Sequence, residues 1–248
     1  MPFKISKGHF SEIAHTLKGN EGSKMFILGI DESYKNTGLS ITYGNPFYKY
    51  ETIDCMNLDS SICKDKNEYR TILLNTICTM LKSYKNEMNE CIGECIGAYT
   101  VVERIRQFSK GFISMDYIKG MGALIAYIVE ASCMFRIPTF SVDTRCWKST
   151  VVGSSQKLLN NYNVAPEKFQ TVEYVLRHGM KSLIFSELDE TMGKKELKKK
   201  NPHNVFKSAT GKYIHVDDDR ADSICISRFP FVAMEKGKDL DELLKLEN

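Results

Sequence analysis

The sequence predicts an α/β fold with a central five-stranded mixed sheet flanked by helices. Three β-prone stretches follow one another from residue 25, and helical stretches then alternate with two more short apolar stretches. An alternation of this kind after a strand-rich start is typical of a mixed sheet covered on both faces. The 248 residues, 42% of them hydrophobic and 26% charged, are enough for one enzyme-sized domain.

The predicted core begins at Met25, after a polar segment (1–24) that we expect to form an arm or short helix outside the core. The stretches MFILGID, GLSITYG and PFYKYETID are joined by residues typical of turns at 35–38 and 44–46. They predict a three-stranded antiparallel meander. Asp31 stands where the first strand should end.

Helices and strands then alternate along the chain. Apolar residues at helical spacing predict helices over 67–88 and 113–135, and Pro166 with Gly179 marks the ends of a third over 166–180. The stretch 98–108 is a short strand that runs into Glu103, and another strand follows Pro138. A short helix and a loop are expected over 144–157, and a last helix begins in the acidic run near residue 218.

Composition excludes several classes of protein. No apolar run approaches the roughly 18–20 residues of a membrane span, and the N-terminal segment lacks the apolar core of a signal peptide. The eight cysteines include no CxxC pair, and the single CxxxC at Cys91 and Cys95 is weak evidence for zinc, so reduced, packed thiols are expected. We therefore expect an intracellular protein without a membrane partner.

The net charge of +3 is too small to identify a nucleic-acid-binding protein. Its distribution is more informative, because residues 194–212 carry seven lysines against one acid, Glu196. Such a segment is either a solvated loop or a contact for nucleic acid.

Carboxylates from three distant segments are candidate metal ligands. Asp31 and Glu103 end strands, while Asp219 and Asp222 are three residues apart and share a face of the last helix. Converging carboxylates repel one another unless a cation neutralises them, and hard divalent ions prefer oxygen ligands. Two such ions about 3.5–4 Å apart can hold both the attacking water and the leaving oxygen of a phosphodiester.

The last helix leaves two alternatives open. Asp218 lies four residues before Asp222, so it could replace Asp219 as a ligand. His215 could assist the site, although a single histidine is more often structural.

Four sequence blocks occur in order between about residue 25 and residue 228: ILGIDESYKNTGLSI, TVVERIR, CWKSTVVGSSQK and DDRADSICIS. Together they resemble the RuvC family of Holliday-junction resolvases, which has a ribonuclease H-like fold. The segment 156–219 is longer than in the compact bacterial members, and residues 1–24 extend the N-terminus. In this respect the chain is more similar to a divergent phage, viral or organellar member, with the host cytoplasm as its location if it is phage or viral.

The resemblance implies a metal-dependent endonuclease that acts as a homodimer on four-way DNA junctions. Paired symmetric nicks would leave 5′-phosphate and 3′-hydroxyl ends. The family's acidic quartet corresponds to Asp31, Glu103, Asp219 and Asp222, which would bind two Mg²⁺ ions, for which Mn²⁺ could substitute. Lys148 would be the catalytic basic residue. DNA-binding residues are expected at Arg104, Arg106, Lys148, Lys157, Lys198, Lys199 and Lys200.

The resemblance also divides the chain. We expect an N-terminal extension (1–24), a nuclease domain (25–234) with a basic insertion near 181–214, and a C-terminal tail (235–248). The helix at 113–135 is the expected dimer seam, because Gly120 and Gly122 permit close approach of a second backbone. Its apolar residues exceed what one core face requires: Ile118, Met121, Leu124, Ile125 and Ile128.

Other functions remain open. A nuclease of this kind could act more broadly on flaps and branched DNA. Actin-like and sugar-kinase-type ATPases share the core fold and begin with an acid before a small-residue turn, but the last third of this chain has no glycine pair suited to adenosine. A non-catalytic binder of DNA structures would not need four acids.

Overall fold

The computed structural model describes residues 3–93, 97–104, 115–153, 169–187, 205–207 and 213–247. Within these ranges the helices are α1 (His9–Gly19), α2 (Lys66–Ser83), α3 (Lys85–Gly93), α4 (Met115–Met134), α5 (Thr144–Trp147), α6 (Phe169–Arg177), α7 (Lys181–Ile184), α8 (Asp218–Glu235) and α9 (Leu240–Leu243). The strands are β1 (Met25–Asp31), β2 (Asn36–Gly44), β3 (Tyr50–Asp59), β4 (Ala98–Glu103), β5 (Thr139–Val142), β6 (Phe185–Glu187), β7 (Val205–Lys207), β8 (Tyr213–Val216) and β9 (Leu244–Glu247).

The main sheet has the strand order β3-β2-β1-β4-β5-β9. The predicted antiparallel meander is confirmed, and β1, β4 and β5 run parallel to one another. The described part of the sheet has six strands and not the predicted five, because β9 pairs with β5 in the antiparallel direction. This strand of four residues, LKLE, was missed because its alternation of apolar and polar residues is too short to stand out from its surroundings.

Helices cover both faces of the main sheet, as predicted. Met25 and Ile27 of β1 pack against the layer that contains α1, α6 and α8, whereas Phe26 and Leu28 pack against α2 and α4. A strand buried on both faces needs apolar residues at consecutive positions. This explains the uninterrupted run at the start of the core.

The N-terminal helix belongs to the core, so the expectation that residues 1–24 lie outside it is wrong for α1. Phe10, Ile13 and Leu17 are buried in the same cluster as Met25. The carboxylate of Asp241 accepts hydrogen bonds at 3.3 Å from two backbone N–H groups of the first turn. Few apolar residues form this face, and the surrounding polar residues obscured them in the sequence.

We expect His9 to make the stability of the docked helix α1 depend on pH. Its Nε2 lies 2.8 Å from the Tyr99 hydroxyl, and burial lowers its pKa below the ordinary 6.5. Neutral His9 therefore contributes fully to the free energy of unfolding above about pH 6.5, the pKa of histidine in the unfolded chain. This contribution is lost as the pH falls through the lower pKa that His9 has in the folded protein. Between about pH 7.5 and about pH 5, we expect the melting temperature of the wild type to fall more than that of His9→Gln.

Thermal unfolding across this pH range measures the difference. His15→Gln is the matched control, because His15 is exposed on the same helix. It should retain the wild-type pH dependence. Equal pH dependence in the wild type and His9→Gln would contradict the prediction.

Helix α4 corrects two expectations. The sequence analysis found no apolar run long enough to span a membrane, but α4 is long and apolar enough to do so. Length and composition alone do not indicate a membrane span, because core helices have the same properties. Met121, Leu124 and Ile128, which we assigned to the dimer seam, are buried in the core cluster beside α2. Ile118 and Ile125 are half-buried and remain candidates for that seam.

Candidate active site

The ends of β1 and β4 bring two of the predicted acids to one edge of the main sheet. The strands are parallel neighbours, and Ile30 of β1 is level with Val102 of β4. The next residue of each strand, Asp31 and Glu103, therefore stands at the same level. Adjacent strands are about 4.8 Å apart, so these two acids are neighbours across the sheet edge.

Helix α8 lies unusually close to β1 and β2. A Cβ atom added to Gly38 would be 2.1 Å from the carbonyl oxygen of Asp219, and one added to Gly29 would be 2.3 Å from the backbone nitrogen of Ser227. Gly38 is also the ladder partner of Asp31. The first turn of α8 is therefore placed against the end of β1, next to the end of β4.

The first acid before α8 has a structural role. Asp217 is the N-cap of the helix, and its carboxylate accepts a hydrogen bond from the backbone N–H of Arg220 at 2.9 Å. The same carboxylate accepts hydrogen bonds from the Asn57 amide at 3.1 and 3.2 Å and forms an ion pair with the Arg220 side chain. These contacts fasten the start of α8 to β3.

Asp218 and Asp219 act on different neighbours. Burial lowers the pKa of His215, while the charge of Asp218 is among those that oppose this change. Burial raises the pKa of Tyr69 to about 12, and the charge of Asp219 adds to the increase. The Tyr69 hydroxyl donates to the carbonyl of Ser33 at 2.9 Å, in the loop after Asp31. The backbone of Asp219 lies against Gly38, the ladder partner of Asp31.

Asp222 is the most buried of the four predicted ligands, with an exposed fraction of 3%. Burial raises the pKa of the Cys225 thiol; the charge of Asp222 adds to this effect, and the charge of Lys148 opposes it. The Lys148 ammonium lies 5.0 Å from the centre of the Trp147 ring, whose indole N–H donates a hydrogen bond to Glu103.

Glu32 is a fifth acid of this edge that the sequence reasoning missed. It is buried, with an exposed fraction of 9%, and its Oε2 accepts a hydrogen bond from the backbone N–H of Glu103 at 3.2 Å. Burial raises the pKa of Glu32 well above its ordinary value, and the charges of Asp31 and Glu103 add to the increase. The only sequence signal was a second acid directly after the strand end.

Lys148 begins a π-helical turn, Lys148–Val152, that continues from α5. Single π turns within helices are frequent at functional sites. Lys236 donates to the carbonyl oxygen of Thr150 at 2.6 Å, and Lys238 donates to its hydroxyl at 2.7 Å. Hydrogen bonds from the residues that follow α8 therefore fix the position of the turn that carries Lys148.

The carboxylates fit a metal by their chemistry. Among the described residues, no three Asp, Glu, His or Cys side chains are grouped closely enough to hold an ion as they stand. The donors are nevertheless all carboxylates, which suit hard divalent cations. Asp222 is almost fully buried, and a buried charge is costly without compensation. Asp31, Glu103, Asp219 and Asp222 are thus chemically suited to bind a divalent ion.

The predicted DNA-binding residues are only partly described. The Arg104 guanidinium lies 3.4 Å from both the hydroxyl and the carbonyl oxygen of Ser141. Five others fall outside the described residues: Arg106, Lys157, Lys198, Lys199 and Lys200. Within the basic insertion, β6, β8 and β7 form a small antiparallel sheet, and β8 leads directly into α8.

The main sheet with helices on both faces is the arrangement of a ribonuclease H-like fold. The chain is similar to RuvC of T. thermophilus in complex with a Holliday junction substrate, with 12% identity, a TM-score of 0.53, and coverage of 90% of this chain and 100% of that chain. This likeness shows the fold: the protein has the RuvC-like fold, as predicted.

Two further solved structures are similar to the chain. A second Thermus thermophilus RuvC structure has 13% identity and a TM-score of 0.49, and covers 90% of this chain and 100% of that one. The yeast mitochondrial Holliday junction resolvase Ydc2 has 16% identity and a TM-score of 0.42, with coverage of 92% and 87%. No family model and no curated protein matches the sequence.

Proposed function

We propose that this protein is a metal-dependent, structure-selective DNA endonuclease that resolves four-way junctions by paired symmetric nicks. The observation that carries the proposal is that the ends of β1 and β4 and the start of α8, which bear the four predicted acids, lie together at one edge of the main sheet. The Lys148 ammonium lies 5.0 Å from the centre of the Trp147 ring, whose N–H donates to Glu103. The similarity to a RuvC structure that contains a Holliday junction substrate supports the choice of DNA as substrate.

In the proposed mechanism Asp31, Glu103, Asp219 and Asp222 hold divalent ions. A bound Mg²⁺ would supply Lewis acidity and lower the pKa of the attacking water. We prefer Asp219 to Asp218 as a ligand, because the backbone of Asp219 contacts the ladder partner of Asp31. Lys148 would contact the scissile phosphate and stabilise the charge that develops there.

A nicking assay on a panel of DNAs tests the proposal. The panel contains four-way junctions, three-way junctions, forks, flaps and linear duplex, each end-labelled and incubated with Mg²⁺ or Mn²⁺. We expect paired, ligatable nicks at symmetric positions in the four-way junction. Equal cleavage of flaps and forks would favour the broader branched-DNA nuclease, and no cleavage of any DNA would contradict the proposal.

We propose that the active form is a homodimer joined through the outer face of α4. A four-way junction has approximate two-fold symmetry, so a two-fold dimer presents one site to each target strand. Gly122 is exposed, and no atom lies within 4 Å of a Cβ added there. Gly120 instead faces the Tyr34 ring, whose hydroxyl donates to the Gly120 carbonyl at 2.7 Å. Gly122 is therefore the better probe of the seam.

Gly122→Leu should convert the dimer to a folded monomer, because the new side chain has room in the monomer but blocks close approach of a second copy. Sedimentation measures the association, and paired cleavage should fall more than single nicking. Gly19→Leu, at another position with open space, is the control. A wild type that stays monomeric on a junction would exclude this seam.

The lysine run is proposed to lie along a DNA arm. Replacing Lys198, Lys199 and Lys200 by Ala should reduce the salt slope of junction binding by up to about three units, roughly one for each lost phosphate contact. Binding titrations at several salt concentrations measure the slope. A triple Ala variant of the exposed Lys18, Lys82 and Lys245 is the control for total charge. An unchanged salt slope would contradict the DNA contact and indicate that the lysine run is a solvated loop.

A further inference from the structure

We propose that Thr144 and Trp147 are positioning residues that fix the orientation of the Glu103 carboxylate in the candidate metal site. The inference rests on the proposed function, since it assigns a metal-binding role to Glu103. It adds two residues of α5 to the machinery, neither of which is acidic or basic.

The carboxylate of Glu103 is held at both of its oxygens. The Thr144 hydroxyl donates a hydrogen bond to Oε1, and the Trp147 indole N–H donates one to Oε2 at 3.1 Å. The two donors are three residues apart, so they lie on the same face of α5. Two hydrogen bonds to different oxygens define both the position and the plane of the carboxylate.

The topology explains why α5 reaches this carboxylate. Glu103 and Val142 are partners in the parallel ladder of β4 and β5. Helix α5 begins two residues after Val142, with Asp143 as its N-cap, whose carboxylate accepts a hydrogen bond from the N–H of Arg145 at 2.8 Å. The helix therefore starts beside the end of β4.

The two donors are themselves firmly placed. Trp147 is fully buried in the core cluster that also contains α8. The turn that follows it is closed by the Thr150 hydroxyl, which donates to the carbonyl of Cys146 at 2.7 Å. The Lys148 ammonium lies 5.0 Å from the centre of the Trp147 ring. Trp147 thus contacts both the predicted acidic ligand and the predicted basic residue.

Both donors are neutral, so they orient the carboxylate without cancelling its charge. An ionised carboxylate has about four acceptor positions, so two remain for a metal ion. Hydrogen-bond partners of metal ligands typically contribute about 10–100-fold to metal affinity. We therefore expect the Thr144 hydroxyl and the Trp147 N–H to strengthen divalent-ion binding.

Trp147 is the single tryptophan of the chain, so the intrinsic tryptophan fluorescence reports on the ring that contacts Glu103. We would titrate the full-length wild type with Mn²⁺ and record both the fluorescence and the heat of binding. The expected result is a saturable change in emission with the same midpoint as the calorimetric curve. This measurement does not depend on cleavage activity.

Thr144→Val removes the hydroxyl while it keeps the size of the side chain, and it should weaken Mn²⁺ binding about tenfold. Thr144→Ser restores a hydroxyl and should recover most of the affinity. Trp147→Phe should also weaken Mn²⁺ binding. This variant lacks tryptophan, so its binding is measured by calorimetry only, and its melting temperature verifies that it folds. Thr16→Val, at an exposed threonine of α1, should bind Mn²⁺ like the wild type.

The outcomes separate this inference from the proposed function. If the wild type binds Mn²⁺ and Thr144→Val binds it equally well or more tightly, the positioning role is overturned while the metal site stands. If the wild type shows neither heat nor a saturable emission change, the metal site fails and the inference fails with it. Weaker binding in Thr144→Val with recovery in Thr144→Ser supports it.

Discussion

Asp31→Asn and Asp222→Asn should each reduce cleavage by about 10³-fold or more while junction binding remains measurable. Each change removes one negative charge at almost constant size. Metal ions supply several kcal/mol of transition-state stabilisation, and about 1.4 kcal/mol corresponds to a factor of ten in rate. Asp31 is at the end of β1, and Asp222 is buried in α8. The two variants therefore test ligands from two different segments of the chain.

Nicking of a labelled junction in Mg²⁺ measures the first effect, and gel-shift binding without Mg²⁺ measures the second. Glu12→Gln, which removes one charge from an exposed acid of α1, is the matched control and should cleave normally. Chelation of divalent ions should abolish cleavage by the wild type as well. Near-normal cleavage by either Asp variant would contradict the metal-site assignment.

Gly38→Ala is expected to lose most of its cleavage activity and to be less stable. The added methyl group would lie 2.1 Å from the carbonyl oxygen of Asp219 and 3.2 Å from the Cβ of Ser223. Helix α8 must then move away from β2, which separates Asp219 from Asp31. Overpacking of this kind typically costs about 1–3 kcal/mol of stability.

Denaturant unfolding and the nicking assay test this prediction together. Gly19→Ala serves as the matched control, because an added Cβ there meets nothing within 4 Å. Its stability and activity should remain close to those of the wild type. If Gly38→Ala unfolds and cleaves like the wild type, α8 does not depend on this close approach.

The elements that were predicted well are those with strong local patterns. The run MFILGI is apolar at consecutive positions because β1 is buried on both faces, and Asp31 marks its end. Helical spacing of apolar residues likewise predicted a helix over 67–88, which covers α2 and the start of α3, although the break between them at Tyr84 was not predicted. Such features depend on residues close together in the chain, so they can be predicted from the sequence.

The partners of Glu103 were not predictable in this way. Its position at the end of a strand marked it as a candidate ligand, but nothing near it in sequence indicated Thr144, 41 residues away, or Trp147, 44 residues away. These contacts exist because the parallel pairing of β4 and β5 places α5 beside the end of β4. The burial of Glu32 likewise follows from the packing around the sheet edge.

The sequence by itself therefore determined the α/β class, the meander and the strand-end position of the acids, since periodicity and turn residues act over a few positions. Only the tertiary structure decided that α1 joins the core, that β9 extends the sheet and that Asp217 caps α8 while Asp219 lies against Gly38. These outcomes depend on which surfaces meet when distant segments pack, and a close approach such as that of α8 to Gly38 leaves no periodic signal in the chain.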